Sequence, residues 1–401
     1  MQSKWQMNLV FLAQLIIIAS LDMSDPYWPL IIQHTNHILP SKQLQYWSAA
    51  IYMVPFLITI LATPFWSHLG ERIGQKKMLL RACGALLLTQ LLLCFVSNPV
   101  LVLGVRSLQG IFAGFSAAAQ AWSITMSSVE SHSYVISRLQ ASTAIGKIIG
   151  PVAGGFVANY FGYHAIFSVS TIIFGLVVMT LMSQLQETQH KHHDSNVRQH
   201  TNVWSGLDNG IVYLLSMICF TQAARWMSAP FFALYVSQSL GGSSLMVGLL
   251  YSGIGLTMFL SGPRWGGLID KKIQNYQLVK LIFVVTLLMA GFSQYLFAYM
   301  TNFYFVLFAA MLWGFCLSAI SLIPFALLVR HSAVGQKGKM IGLGNSSSKL
   351  GNLLGVGMGA YVQAATSFTY SFVAISVLYF ILAGVFIVCQ LRLNPVELKT
   401  C

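Results

Sequence analysis

Acid is scarce in this chain. Nine aspartates and glutamates stand against 22 lysines and arginines in 401 residues, and charged residues make up 8%. A soluble domain carries about 25%, so an ordinary water-soluble globule is excluded. Cysteine is sparse too. The six, at 83, 94, 219, 316, 389 and 401, show no C-x-x-C spacing. They read as small buried hydrophobes rather than a disulfide framework, and no metal site is expected. There is no G-x-S-x-G elbow, no H-E-x-x-H pair and no Walker loop, so an enzyme is not expected and a self-contained ATP drive is excluded. The first apolar run is too long for a signal peptide, lacks an A-x-A-type cleavage site and is followed by many more runs.

Those runs are what the chain has in abundance. Hydrophobic residues make up 56% of it, in stretches of about 20, each enough to cross a hydrocarbon core. A barrel would show ~10-residue alternating strands instead. The expected fold class is an all-α polytopic membrane protein. Twelve spans are expected near 8–34, 45–69, 78–96, 99–127, 134–160, 163–185, 206–237, 245–269, 277–299, 303–329, 339–366 and 368–391.

The basic residues choose an orientation. Arg72, Lys76 and Lys77 follow span 2, Lys271 and Lys272 follow span 8, and Arg330, Lys337 and Lys339 follow span 10. The alternate loops are nearly bare, Lys42 excepted. Basic loops mark the cytoplasmic side, which places both termini in the cytoplasm. The net charge of +13 therefore points to a membrane, with no nucleic-acid partner expected. One long polar loop, "ETQHKHHDSNVRQHTN" at 187–202, splits the spans six and six. Its four histidines could bind metal, but a solvated linker is the favoured reading. The expected organisation is a bundle over 1–185, a linker over 186–204 and a second bundle over 205–401.

The two halves repeat. "MSDPYWPL" (23–30) matches "MSAPFFAL" (227–234), and "PFWSHLGER" (64–72) matches "PRWGGLIDK" (263–271). Gly146, Gly150 and Gly154 match Gly351, Gly355 and Gly359, and Gly110 matches Gly314. Matches in one order at offsets of 199–205 point to two related six-helix bundles built by parallel repetition.

Six plus six spans around a polar loop resemble the major facilitator superfamily. In "SHLGERIGQKK" (67–77), Glu71, Arg72, Gly74, Lys76 and Lys77 fit that family's loop motif, while Ser67, Glu71 and Gln75 depart from its usual glycine, aspartate and arginine. A second copy at Gly266, Leu268, Asp270 and Lys271 fits at its start and then degrades. "RSLQG" supplies Arg106, Gln109 and Gly110 in the family arrangement. "GKIIGPVAGG", with Gly146, Gly150, Pro151, Gly154 and Gly155, matches the signature of the proton-driven antiporter branch. The resemblance implies two pseudo-symmetric bundles working by alternating access. It also implies a conformational latch at Glu71, Arg72, Asp270 and Lys271, against the plainer reading of a basic anchor. The glycines make a small-residue face for close helix contact, and Pro151 should bend its helix.

Asp22 and Asp25 are the acids that fall deep inside a span. Glu71, Glu130, Glu187, Asp194, Asp270 and Glu397 lie in loops or tails, and Asp208 at a span's mouth. An intramembrane charge costs at least ~2.5–3.5 kcal/mol and normally serves a cavity. Buried carboxylates titrate toward neutrality, so elimination makes Asp22 and Asp25 candidates for proton coupling. The competing reading is a structural ion pair. Pro26 and Pro29 should break or kink the helix beside them.

Against these two stand Arg106, Lys147, Arg225 and Lys349 within spans. That excess of cations suggests an anionic, carboxylate-bearing substrate, because guanidinium forks match carboxylates. Tyr27, Trp28, Gln109, Gln120, Trp122, Trp226 and Asn345 complete the candidate lining, although aromatics in such helices often only pack. Within the antiporter branch this profile resembles exporters of carboxylate siderophores. The expectation is a monomeric proton-coupled exporter of a small polycarboxylate such as a siderophore, in a bacterial inner membrane. A proton gradient is its energy source, with no cofactor. Multidrug antiport and proton-driven import of a ferric siderophore are the alternatives.

Overall fold

The computed structural model describes residues 2–35, 41–127, 131–185, 208–272, 276–332 and 337–392. These are helical, with no strand among them. The first half contains α1 (Gln2–Asp22), a 3-10 turn (Asp25–Tyr27), α2 (Trp28–Thr35), α3 (Ser41–Ile73), α4 (Gln75–Leu93), α5 (Pro99–Ile111), α6 (Phe115–Thr125), α7 (His132–Phe161) and α8 (Tyr163–Gln184). The second contains α9 (Asn209–Trp226), α10 (Phe232–Gln238), α11 (Ser244–Lys272), α12 (Tyr276–Tyr299), α13 (Phe303–His331), α14 (Lys337–Ala365) and α15 (Phe368–Arg392). They fall on the twelve expected spans, with spans 1, 4 and 7 each divided into two helices. Among the described residues, nine segments are long and apolar enough to cross a membrane. The other three have local reasons for falling short: α4 carries Lys76, Lys77 and Arg81, α14 carries Asn345, Lys349 and Asn352, and span 7 divides into α9, which carries Asn209, Gln222 and Arg225, and α10 of only 7 residues.

The breaks in spans 1 and 7 obey the same backbone chemistry. Pro26 has no amide proton to continue the helix. The chain crosses the gap on tighter bonds, Ser24 N to Leu21 O at 3.3 Å and Tyr27 N to Ser24 O at 3.0 Å. In span 7 the bond from Phe231 N to Ser228 O, 3.1 Å, repeats the second of these 204 residues later. Pro151, by contrast, sits within an uninterrupted α7.

Span 4 is divided where no proline stands. Gly114 takes φ +118°, open to glycine and rarely to other residues, and caps α6. The carbonyls freed there find donors. Trp66 Nε1 donates to Ile111 O, and Arg81 Nη2 donates to Ala113 O at 3.3 Å. The Arg81 guanidinium lies 3.6 Å from the centre of the Trp66 ring, a cation–π contact. The corresponding span, α13, is continuous and has Ser318 where Gly114 would fall, yet Trp265 Nε1 still donates to Phe315 O at 3.2 Å.

The glycine stripes explain the tightest packing. A Cβ on Gly146 would stand 2.8 Å from Leu15 O, on Gly150 2.5 Å from Ala19 O, and on Gly154 2.0 Å from Met23 O. In the second half the same atoms on Gly351, Gly355 and Gly359 would stand 2.1, 2.2 and 1.8 Å from Cys219 O, Ala223 O and Met227 O. The partners are again 204 residues apart, so the sequence repeat is a packing repeat.

Packing divides the chain into two units, residues 1–198 with 232–255 and residues 199–231 with 256–401. Residues 232–255 thus pack with the first unit, although the repeat assigns them to the second half. Small side chains explain the contact. Gly155 lies against Ser244 O, Gly248 lies against Pro151 O, and the Ser252 hydroxyl donates to Ile148 O. The first unit's apolar core contains Val10, Ile17, Leu79, Cys83, Phe174 and Leu181.

Candidate functional site

The first unit gathers acid and base around the span 1 break. Asp22 is the last residue of α1 and Asp25 the first of the 3-10 turn; both are half-buried. Tyr52, from α3, donates its hydroxyl to the backbone oxygen of Asp25 and fixes the turn. Arg106 on α5 and Lys147 on α7 are the cations whose charge acts on Asp25, and Lys147 also acts on Asp22. The two aspartates act on each other, and Tyr251 of α11 adds a phenol facing Asp25. Two carboxylates in electrostatic contact exchange protons as a pair rather than independently.

Arg106 is committed to its own unit. Its Nε donates to Ile51 O at 3.2 Å, its Nη1 to Gln109 Oε1 at 2.8 Å, and its guanidinium lies 4.9 Å from the centre of the Trp28 ring. Trp28 packs on Phe167 at 5.5 Å between centroids. Tyr27 is fully buried, and its hydroxyl bridges the carbonyls of Pro151 at 2.8 Å and Ser244 at 3.1 Å. Gln109 is buried and its amide is used at both ends, while Gln120 is half-buried. Trp122 is fully enclosed in the apolar core, with its indole N–H unpartnered, so packing takes up its whole surface.

In the second unit Arg225, near the end of α9, is half-buried. Its Nη2 meets the thioether of Met258 at 3.9 Å, and Tyr379 acts on it electrostatically. Trp226 is half-buried, whereas Lys349 and Asn345 on α14 are exposed, as are Asp270 and Lys271 on α11. The side chains of Glu71 and Arg72, and the whole 187–202 loop, lie outside the described residues. His331 and Asp208 form an ion pair at 2.8 Å.

Sequence reasoning did not single out Thr89, Tyr52, Arg81 or Tyr251. Nothing in their local pattern distinguishes them; the contacts that do are long-range.

A polytopic helical chain of two repeated halves, with titratable groups clustered at a broken helix, has the build of a secondary transporter. The family model of the Major Facilitator Superfamily matches twice, over residues 10–213 and 214–400. The chain belongs to that superfamily and is a transporter of it. A staphyloferrin B transporter from Staphylococcus aureus is 27% identical over 99% of this chain and 96% of its own. The multidrug resistance protein MdtG of Proteus mirabilis is 25% identical over 96% and 94%. Among solved structures, a peptide transporter with bound alafosfalin superposes with TM-score 0.73 at 10% identity, covering 96% of this chain and 94% of its own. The human organic anion transporter MFSD10 gives 0.62 at 15%, covering 96% and 99%. Both likenesses speak for the fold.

Proposed function

We propose that the protein is a proton-coupled exporter of a small polycarboxylate, a siderophore of the carboxylate class, working by alternating access in a bacterial inner membrane with both termini cytoplasmic. The protein acts as a monomer, uses no cofactor and draws its energy from the proton gradient. The observation that carries the anionic part is Arg225, a half-buried guanidinium in a span with a thioether as its hydrogen-bond partner. An intramembrane cation without a carboxylate is costly, and an anionic ligand would offset that cost. Likeness along the whole length to a staphyloferrin B transporter supports the same reading.

Asp22 and Asp25 are the proposed proton carriers, two carboxylates within one span with Lys147 acting on both and Arg106 on Asp25. Arg225, Lys147 and Lys349 are the proposed substrate cations. Arg106, already bonded within its unit, serves the carboxylates instead. The likeness to MdtG supports a second reading, multidrug:proton antiport.

Proteoliposomes separate the two. Labelled staphyloferrin B and a lipophilic cation are offered under pH gradients of either sign. Movement of staphyloferrin B, reversed in direction with the gradient, is the expected result. Movement of the cation alone would leave the multidrug reading standing and sink the first.

A further inference from the structure

A run of polar side chains in the first unit leads to Arg106 from a residue that no motif marks. Thr89, on α4, donates its hydroxyl proton to Leu86 O at 3.0 Å. A hydroxyl has one proton, so what Thr89 still offers is a lone pair. Gln109 meets that lone pair with its amide nitrogen, Nε2 to Oγ1 at 3.3 Å. Its amide oxygen is thereby turned the other way, to accept from Arg106 Nη1 at 2.8 Å. Thr89 and Gln109 are 2% and 7% exposed, so water is poorly placed to substitute for either bond.

We infer that Thr89 is a positioning residue of the coupling site. Its hydroxyl fixes which end of the Gln109 amide faces Arg106, and so holds the guanidinium where its charge acts on Asp25. This rests on the reading of Asp25 as a proton carrier. Without the hydroxyl the amide is free to turn, and a flipped amide presents donors to a guanidinium that can itself only donate.

The repeat supplies an internal control. Ser293 stands 204 residues after Thr89 and donates to Ala290 O at 2.7 Å, the same local bond. At that offset Gln109 becomes Trp313 and Arg106 becomes Ala310. The back-bonded hydroxyl therefore belongs to the shared frame. The amide and arginine it orients belong to the first half.

The test is an infrared titration of carboxyl protonation on the full-length protein in lipid. The charged and titratable groups facing Asp25 are Arg106 of α5, Lys147 of α7, Asp22 of α1, Tyr52 of α3 and Tyr251 of α11. None of them is substituted in the Thr89, Gln109 or Ser293 variants. D25N identifies the Asp25 component by removing it. T89V and Q109L should each move its midpoint by about one pH unit, and the double variant no further, because both cut one chain. T89S and S293A should titrate as the parent does. A T89V midpoint equal to the parent's, or additive shifts in the double variant, would overturn the assignment. If D25N removes no titrating component, the coupling reading itself falls, and the role of Thr89 with it.

Discussion

Gly154→Ala tests the seam beneath the proposed coupling site. The added methyl would stand 2.0 Å from Met23 O and 2.8 Å from Met23 Cα. Real Cβ atoms essentially never approach below 3.0 Å, so α7 and the end of α1 must part by about 1 Å. The obstruction is backbone, which cannot rotate away. The cost therefore sits at the upper end of overpacking, about 3 kcal/mol. Alanine returns about 1 kcal/mol through helix propensity, leaving a net loss of about 2 kcal/mol. Gly104→Ala is the control, since nothing lies within 4 Å of its added carbon. It should be neutral or stabilising by up to about 1 kcal/mol. Gly359→Ala meets Met227 O at 1.8 Å and should cost stability as Gly154→Ala does. Only Gly154→Ala, however, displaces the segment between Asp22 and Asp25. A misplacement of about 1 Å can cost about 100-fold in rate, so proton-driven transport should fall much further in Gly154→Ala than its stability loss accounts for. Unfolding of the purified variants in mild detergent gives the stabilities, and proteoliposome flux gives the function. A Gly154→Ala protein as stable as Gly104→Ala would refute the steric reasoning.

Asp22→Asn and Asp25→Asn should abolish proton-coupled flux in protein that remains folded; full coupling in both would remove the proton assignment. Lys147→Ala, Arg225→Ala and Lys349→Ala should each weaken an anionic substrate by about 1.5–3 kcal/mol, one charge-assisted bond, read as a rise in half-saturating staphyloferrin B; unchanged values in all three would remove the anion argument. Asp208, just before the first residue of α9, caps that helix through Ile211 N at 2.7 Å. Slight burial acts to raise its carboxyl, but the Ile211 amide and His331 outweigh it and hold it below the ordinary range. A depressed carboxylate stabilises the fold above its unfolded value and loses that contribution as pH falls through the folded one. Asp208→Ala should therefore cost about 1 kcal/mol near neutrality, and the gap to the parent should narrow below about pH 4; a gap independent of pH would contradict the cap.

Span positions were legible because hydropathy is a local property that a lipid-facing helix must satisfy. The break after Asp22 was legible because Pro26 lacks a donor wherever it stands. The division of span 4 was not, since Gly110 and Gly114 alone do not say whether a helix will use their freedom. Trp66 and Arg81, from other helices, supply the donors that the freed carbonyls need. Pro151, unlike Pro26, does not end its helix, and α7 runs through it.

By itself, the sequence determined that this is a twelve-span membrane protein of two repeated halves, and it isolated Asp22 and Asp25 by elimination among nine acids. Tertiary structure decided what those two carboxylates face. It brought Arg106 and Lys147 to them from 81 and 122 residues beyond Asp25, enclosed Trp122 in the core and turned the Gln109 amide toward Arg106 through Thr89. The reason is one of range. Hydropathy, proline and glycine act within a turn or two of helix. Which polar atoms meet depends on how separate helices pack, and no local pattern records it.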